Sequence, residues 1–227
     1  MAPLLELTIR RKLYRRTGAP PVEAVRDLVL GFPTGTVTAL LGPSGCGKTT
    51  ALRILMGLDQ DYEGEVRYRP QRLGVVFQEP RLLPWRTLGD NMRIVAAAAG
   101  LPEPPVEALL ARVGLAGWAG HLPRELSLGM ARRAAIARAL AVEPELLVLD
   151  EPFVSLDEAT AAQLRALVAE VLAERRATAV LVTHALEDAA ELADRVAVLS
   201  PRPARLLRLV EVPRGDVAGL RAALATA

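Results

Sequence analysis

The chain has 227 residues, 51% hydrophobic and 24% charged, with a formal net charge of +2. That composition supports a packed core and excludes a disordered chain. One cysteine and two histidines exclude an internal disulfide framework, a multi-cysteine metal site and a histidine-rich metal centre, and the small net charge without a basic run argues against nucleic acid.

In chain order, the first feature is Tyr14 amid Arg10, Arg11, Lys12, Arg15 and Arg16, a surface residue beside a charged patch. The N-terminus has Glu6 inside its short apolar stretch, so it does not read as a signal peptide. No stretch reaches the roughly 18–20 apolar residues that a spanning helix needs. A cytoplasmic chain is expected, able to sit on a membrane only through a partner.

Nearly continuous apolar runs at 37–41, 73–77, 146–149, 179–182 and 196–199 read as strands covered on both faces. Helical patterns lie between several of them, at 49–56 after a glycine-rich turn and at 159–175, where Leu164, Leu167, Val168, Val171 and Leu172 recur at 3–4 spacing. Strand–helix alternation predicts an α/β fold with a largely parallel core. Residues 79–143 contain no clear strand. Pro80, Pro84, Pro102, Pro104, Pro105 and Pro123 punctuate them, with helices at 106–113 and 128–140 and a loop at 101–105. This reads as a helical insert. The tail from 201 holds an apolar run at 206–212 and a short Ala/Leu helix.

Gly42, Pro43, Ser44, Gly45, Cys46, Gly47, Lys48 and Thr49 match G-x-x-x-x-G-K-[ST] between a strand and a helix. Glycines let the backbone wrap closely, so N–H groups face phosphates, and the helix N-terminus adds positive partial charge. Lys48 suits the β- and γ-phosphates, and the Thr49 hydroxyl a Mg²⁺ position. Cys46 reads as a tolerated small residue. The run 146–149 ends in Asp150 and Glu151. An apolar strand delivers such acids to the ligand crevice, Asp150 toward Mg²⁺ and Glu151 toward an attacking water.

Further features complete a likeness. Gln78 closes the 73–77 strand, and Leu126-Ser127-Leu128-Gly129-Met130 precedes a helix with Arg132, Arg133 and Arg138. Ser155-Leu156-Asp157 follows the acidic pair, His184 ends the 179–182 strand, and Tyr14 lies upstream of the phosphate loop. Together these resemble the ATP-binding cassette (ABC) ATPase family over nearly the whole chain.

The resemblance implies one domain over 1–227, a P-loop NTPase core at about 1–78 and 144–227 with an antiparallel β portion near the N-terminus, and a helical subdomain at about 79–143. It implies ATP and Mg²⁺ as cofactors. Tyr14 would stack on adenine, and residues 42–49 with Thr50 would bind the nucleotide. Thr49, Gln78 and Asp150 would serve the metal. Glu151, His184, Lys48 and Gln78 would be catalytic, and Ser127 and Gly129 would touch the γ-phosphate bound to a second copy or a related ATPase. The family's signature is LSGGQ, so Leu128 and Met130 depart from it. A bulky Leu128 is expected to tilt the turn, affecting hydrolysis and closed-dimer stability more than binding.

Residues 77–87, with their Leu-Leu-Pro-Trp stretch, and Leu199-Ser200-Pro201-Arg202-Pro203 look most like importers of nitrate, alkanesulfonates and taurine. That likeness implies membrane permease subunits, a periplasmic or lipid-anchored solute-binding protein, no nucleic acid, and a place on the cytoplasmic face of the inner membrane. Leu82 to Trp85 would form an apolar surface for the permease; alternatively Trp85 packs under the helical insert. Two other readings remain open: a non-transport ABC ATPase of DNA repair or translation, and a regulatory nucleotide-binding module with weak catalysis.

Overall fold

The computed structural model describes residues 5–68, 70–175, 178–211 and 213–225. The strands are β1 (Leu5–Arg16), β2 (Ala19–Phe32), β3 (Val37–Leu41), β4 (Glu63–Arg67), β5 (Leu73–Val76), β6 (Leu146–Asp150), β7 (Thr178–Thr183), β8 (Arg195–Leu199) and β9 (Leu206–Glu211). The helices are α1 (Lys48–Leu55), α2 (Leu88–Ala98), α3 (Val106–Arg112), α4 (Leu128–Leu140), α5 (Glu158–Arg175), α6 (Leu186–Leu192) and α7 (Val217–Ala225). They group into two compact units, one of residues 1–69 with 176–227, the other of residues 70–175.

In the first unit β1 and β2 form a long antiparallel hairpin, Leu5 opposite Phe32 and Arg16 opposite Ala19, and β4 pairs antiparallel with β1 on its other side. Leu5, Leu7 and Ile9 are buried while Arg10 is exposed, the period-two alternation of a sheet with one wet face. The pairing with β4 shifts between Ile9 and Arg11, and beyond this bulge Lys12 turns inward. Lys12 is therefore not part of an exposed charged patch: the residue is 2% exposed. Its ammonium donates to Asp59 Oδ1 at 2.8 Å and to the Asp61 carbonyl at 2.5 Å. These partners raise its pKa against the lowering effect of burial, the largest single contribution.

The unit's second sheet runs β7-β3-β8-β9, with β7, β3 and β8 parallel and β9 antiparallel. Val37 to Leu40 and Ala179 to Val182 are wholly buried, which explains why these runs are apolar but for Thr38. The helix α6 packs on β3 and β7, and α7 packs on α6.

In the second unit β5 and β6 pair in parallel, Leu73 opposite Leu146 and Val76 opposite Leu149. The helix α4 lies on β5, and α2 and α3 pack on α4 and on each other. Ala134, Ala135 and Ala137 are buried on α4, and such small side chains let a helix approach a strand closely. Residues 79–143 hold α2, α3, α4 and a short 3₁₀ turn but no strand, as their proline-broken pattern predicts. The strands and helices expected from the sequence all form, with ends moved by one residue at most. The apolar run at 206–212 becomes β9 as far as Glu211; Val212 lies outside the described residues.

Candidate functional site

Strand register decides which segments share an edge in the first unit. Leu41 stands opposite both Thr183 and Val198, so β3, β7 and β8 end together. The phosphate loop, His184 and the turn at 200–205 leave from that carboxyl edge, where open α/β sheets bind ligands.

The loop is tightly seated. Gly47 has φ 130°, and a Cβ there would lie 2.6 Å from the Ala24 carbonyl oxygen and 3.0 Å from Ala204 Cβ. Only glycine fits that backbone and that space. Lys48 is 4% exposed, and its ammonium donates to the carbonyls of Gly42 at 2.8 Å and Pro43 at 3.0 Å. The chain thus folds its cation onto the loop it serves. No side chain caps α1 at Gly47, so its first-turn N–H groups keep the character of an anion site. Ser44 and Thr49 are exposed, and Cys46 is buried at 2% exposure.

Tyr14 lines a depression of about 440 Å³ with Gly47, Thr50 and Arg202. Its hydroxyl lies 3.2 Å from Thr50 Oγ1, and the Lys12 ammonium sits over the ring, 4.8 Å from its centre. An aromatic 37% exposed, held by a cation and a hydroxyl beside the phosphate loop, has the makings of a stacking platform. His184 is exposed after β7. Its turn is fixed by Thr183, whose hydroxyl donates to buried Asp188 at 2.8 Å and accepts from the Ala185 N–H at 3.0 Å.

In the second unit β5 and β6 end in register, so Gln78, exposed, and the Asp150–Glu151 pair leave one edge. Asp150 is 7% exposed. Glu151 has φ 48°, a left-handed backbone that non-glycine residues adopt at a cost and that gathers at functional sites. Two arginines of α4 hold these exits. Arg132 donates to the Pro152 carbonyl at 2.9 Å, and Arg138 to those of Arg81 at 2.5 Å and Pro80 at 3.0 Å. Burial lowers the pKa of both guanidiniums. Their sequence pattern reads only as a basic helix; the structure turns these two inward.

Ser127 is the N-cap of α4, its Oγ accepting from the Met130 N–H at 3.2 Å. The cap is regular (φ −66°, ψ 163°), and Leu128 points outward at 49% exposure. The expected tilt of this turn is absent, because a side chain on the wet face of a first turn meets nothing that would displace it. Gly129 approaches α5: a Cβ there would lie 3.1 Å from Thr160 Cγ2. Asp157 caps α5, accepting from the Thr160 N–H at 3.0 Å, and the Thr160 hydrogen bonds lower its pKa.

Trp85 is 72% exposed and does not pack under the helical insert. Its loop is held from below by Asn91, 2% exposed on α2, which accepts from Leu83 N–H at 2.7 Å and donates to the Thr87 carbonyl at 2.9 Å. Sequence reasoning missed Asn91, whose only signal is a polar residue on the apolar face of α2. It also left Lys12, Arg202 and the two α4 arginines without a local role. No group of three or more acidic, histidine or cysteine side chains able to hold a metal occurs among the described residues. No helix among them is long and apolar enough to cross a membrane.

Residues 25–154 match the family model described as ABC transporter. An aliphatic sulfonates import ATP-binding protein of Burkholderia cenocepacia (strain HI2424) is 48% identical over 212 residues, covering 90% of this chain and 76% of that protein. A protein of the same description from Pseudomonas aeruginosa (strain UCBPP-PA14) is 45% identical over 228 residues, covering 94% and 88%. A solved ATP-binding cassette, dimeric in a post-hydrolysis state with ADP and Pi, superposes with TM-score 0.80 at 26% identity, covering 93% of this chain and 99% of that one.

Proposed function

The chain belongs to the ABC transporter family, and from that premise we propose that it is the ATP-hydrolysing subunit of an importer of aliphatic sulfonates. The observation that carries the chemistry is the seated phosphate loop, with Lys48 folded onto the Gly42 and Pro43 carbonyls below an α1 that no side chain caps. The 48% identity over 90% of the chain supports the sulfonate assignment.

Tyr14 offers its ring to adenine. The backbone of residues 42–47, with Thr50, cradles the phosphates, and Lys48 places a fixed positive charge against the β- and γ-phosphates. The Thr49 hydroxyl and the Asp150 carboxylate, with the Gln78 side chain, are hard oxygen donors of the kind Mg²⁺ takes. That ion is ordinarily held by one or two protein oxygens plus substrate phosphates, and this donor set is of that kind. When bound it would neutralise charge on the phosphates. Glu151 takes the proton of the attacking water, and His184 donates to the γ-phosphate.

Ser127 and Gly129 act on the γ-phosphate held by a second copy. Capping uses the Ser127 oxygen as acceptor, and its hydroxyl hydrogen is a separate donor. ATP then bridges two subunits, and hydrolysis with phosphate release parts them. The exposed loop at Trp85 meets a membrane permease on the cytoplasmic face, and a solute-binding protein delivers the sulfonate. An exposed tryptophan on a loop held by a buried asparagine suits such an anchor.

The test is uptake of a labelled alkanesulfonate into proteoliposomes holding the cognate permease and this subunit. Wild type should drive ATP-dependent uptake, and Lys48→Ala should reduce turnover at least about 100-fold. Equal turnover by the variant would overturn the site assignment; turnover without sulfonate uptake would overturn the substrate.

A further inference from the structure

The run Leu199-Ser200-Pro201-Arg202-Pro203 has no task in the function above. It begins where β8 ends and forms a closed turn. Ser200 Oγ lies 2.8 Å from the carbonyl oxygens of Pro201 and Pro203 and accepts from the Arg205 N–H at 3.0 Å. The Ser200 N–H donates to the Arg205 carbonyl at 3.0 Å. Two backbone bonds staple this turn to β2: Ala204 N–H to the Ala24 carbonyl at 2.9 Å, and Arg26 N–H to the Ala204 carbonyl at 3.0 Å. Ala24 and Ala204 are the two residues that a Cβ on Gly47 would strike. The turn and β2 thus form one wall against the phosphate loop.

From that wall Arg202 reaches into the loop. Its Nε and Nη2 donate to the Gly45 carbonyl oxygen at 3.0 and 2.5 Å. The same peptide group is held at its other end, where the Cys46 N–H donates to the Pro43 carbonyl at 3.3 Å. A peptide is a rigid plane, so anchoring both its oxygen and its N–H fixes its orientation. Gly45 sits at φ 71° and, lacking a Cβ, resists rotation of that plane poorly by itself. Orientation matters because a site built from backbone N–H groups attracts an anion only while the carbonyls face away. One flipped peptide puts a negative oxygen toward the phosphates.

We propose that Arg202 is a positioning residue of the phosphate loop, holding the Gly45–Cys46 peptide with its oxygen turned to the guanidinium so that the loop is set for phosphates before a nucleotide arrives. The inference rests on the ATPase reading. A charge-assisted hydrogen bond spent on pre-organisation corresponds to about tenfold in nucleotide affinity.

Cys46 is the chain's one cysteine and is buried at the pinned peptide, so its thiol reports the state of the loop. Alkylation of Cys46 by N-ethylmaleimide is followed in wild type, Arg202→Met and Arg202→Lys, with and without ATP, beside the KM and kcat of each. Without nucleotide, Arg202→Met should react about tenfold faster than wild type at an unchanged melting temperature, Arg202→Lys should fall between, and KM for ATP should rise more than kcat falls. Unchanged alkylation without nucleotide, beside a raised KM, would mean that Arg202 touches the nucleotide directly, and the positioning role would be overturned. Unchanged alkylation and unchanged KM would overturn it as well. If ATP fails to protect Cys46 even in wild type, the ATPase reading falls, while the nucleotide-free comparison still decides the role of Arg202.

Discussion

The phosphate loop and the turn at Ser127 are both built on a helix N-terminus, and the chain treats them in opposite ways. Around Gly47 everything is committed: a backbone that only glycine adopts, a carbonyl 2.6 Å from any added Cβ, a buried lysine and an arginine clasp. Around Ser127 there is one capping hydrogen bond and a leucine half in solvent. The difference follows from what each must do. A cradle of N–H groups works only in one backbone geometry, so it is over-determined. A turn whose partner would be another molecule needs an open surface and a serine in place, and it tolerates variation beside that serine.

That contrast can be broken by experiment. The largest effect is expected from Gly47→Ala, where strain and collision with the Ala24 carbonyl should cost about 2 kcal/mol. Nucleotide affinity should fall at least about 30-fold, read by titration with a fluorescent ATP analogue. Affinity near wild type would show that the loop is looser than its contacts say. Arg132→Met comes next. It removes the bond to the Pro152 carbonyl below Glu151, and about 1–2 kcal/mol of stability should go with it. Turnover should drop while nucleotide affinity stays; equal losses of both would put Arg132 in general support of the unit.

A smaller effect concerns acid. Partial burial pushes the Asp194 carboxyl up, but hydrogen bonds from Arg214 and the Val37 N–H, with the Arg214 charge, bring it below its usual value. A depressed carboxyl pKa gives stability that is present above the unfolded pKa of about 4 and lost as pH falls through the folded value. Wild type should therefore lose melting temperature more steeply than Asp194→Asn between about pH 5 and pH 3. Parallel curves would remove Asp194 from the acid response. The smallest effect is expected at the exposed turn: Leu128→Gly should change the ATPase rate less than about twofold, since Leu128 displaces nothing. A several-fold rise would show that leucine hinders contact with the second copy and that the turn is less tolerant than its exposure suggests.

Much of this was legible without coordinates. Buried parallel strands announce themselves because both faces must be apolar, so 37–41 and 146–149 stand out, and the phosphate loop carries its glycines, lysine and threonine in eight consecutive positions. Ser127 stands directly before a helical run in the sequence, and in the structure it caps that helix. These features depend on neighbours in sequence, so composition and spacing determine them.

Only the tertiary structure decided where the isolated charges go. Lys12 is one of five basic residues in seven and nothing local separates it from Arg11, yet a one-residue bulge against β4 turns it inward onto Asp59 and over the Tyr14 ring. Arg202 lies 157 residues from Gly45 and meets it because β3 and β8 end in register. Arg132 and Arg138 look like solvent-facing charges and instead hold carbonyls of the loops that carry Glu151 and Gln78. The physical reason is the same in each case. A hydrophobic pattern is a local property that burial reads one residue at a time. A long polar side chain can satisfy itself in many places, and which carbonyl or carboxylate it finds depends on strands and helices distant in sequence.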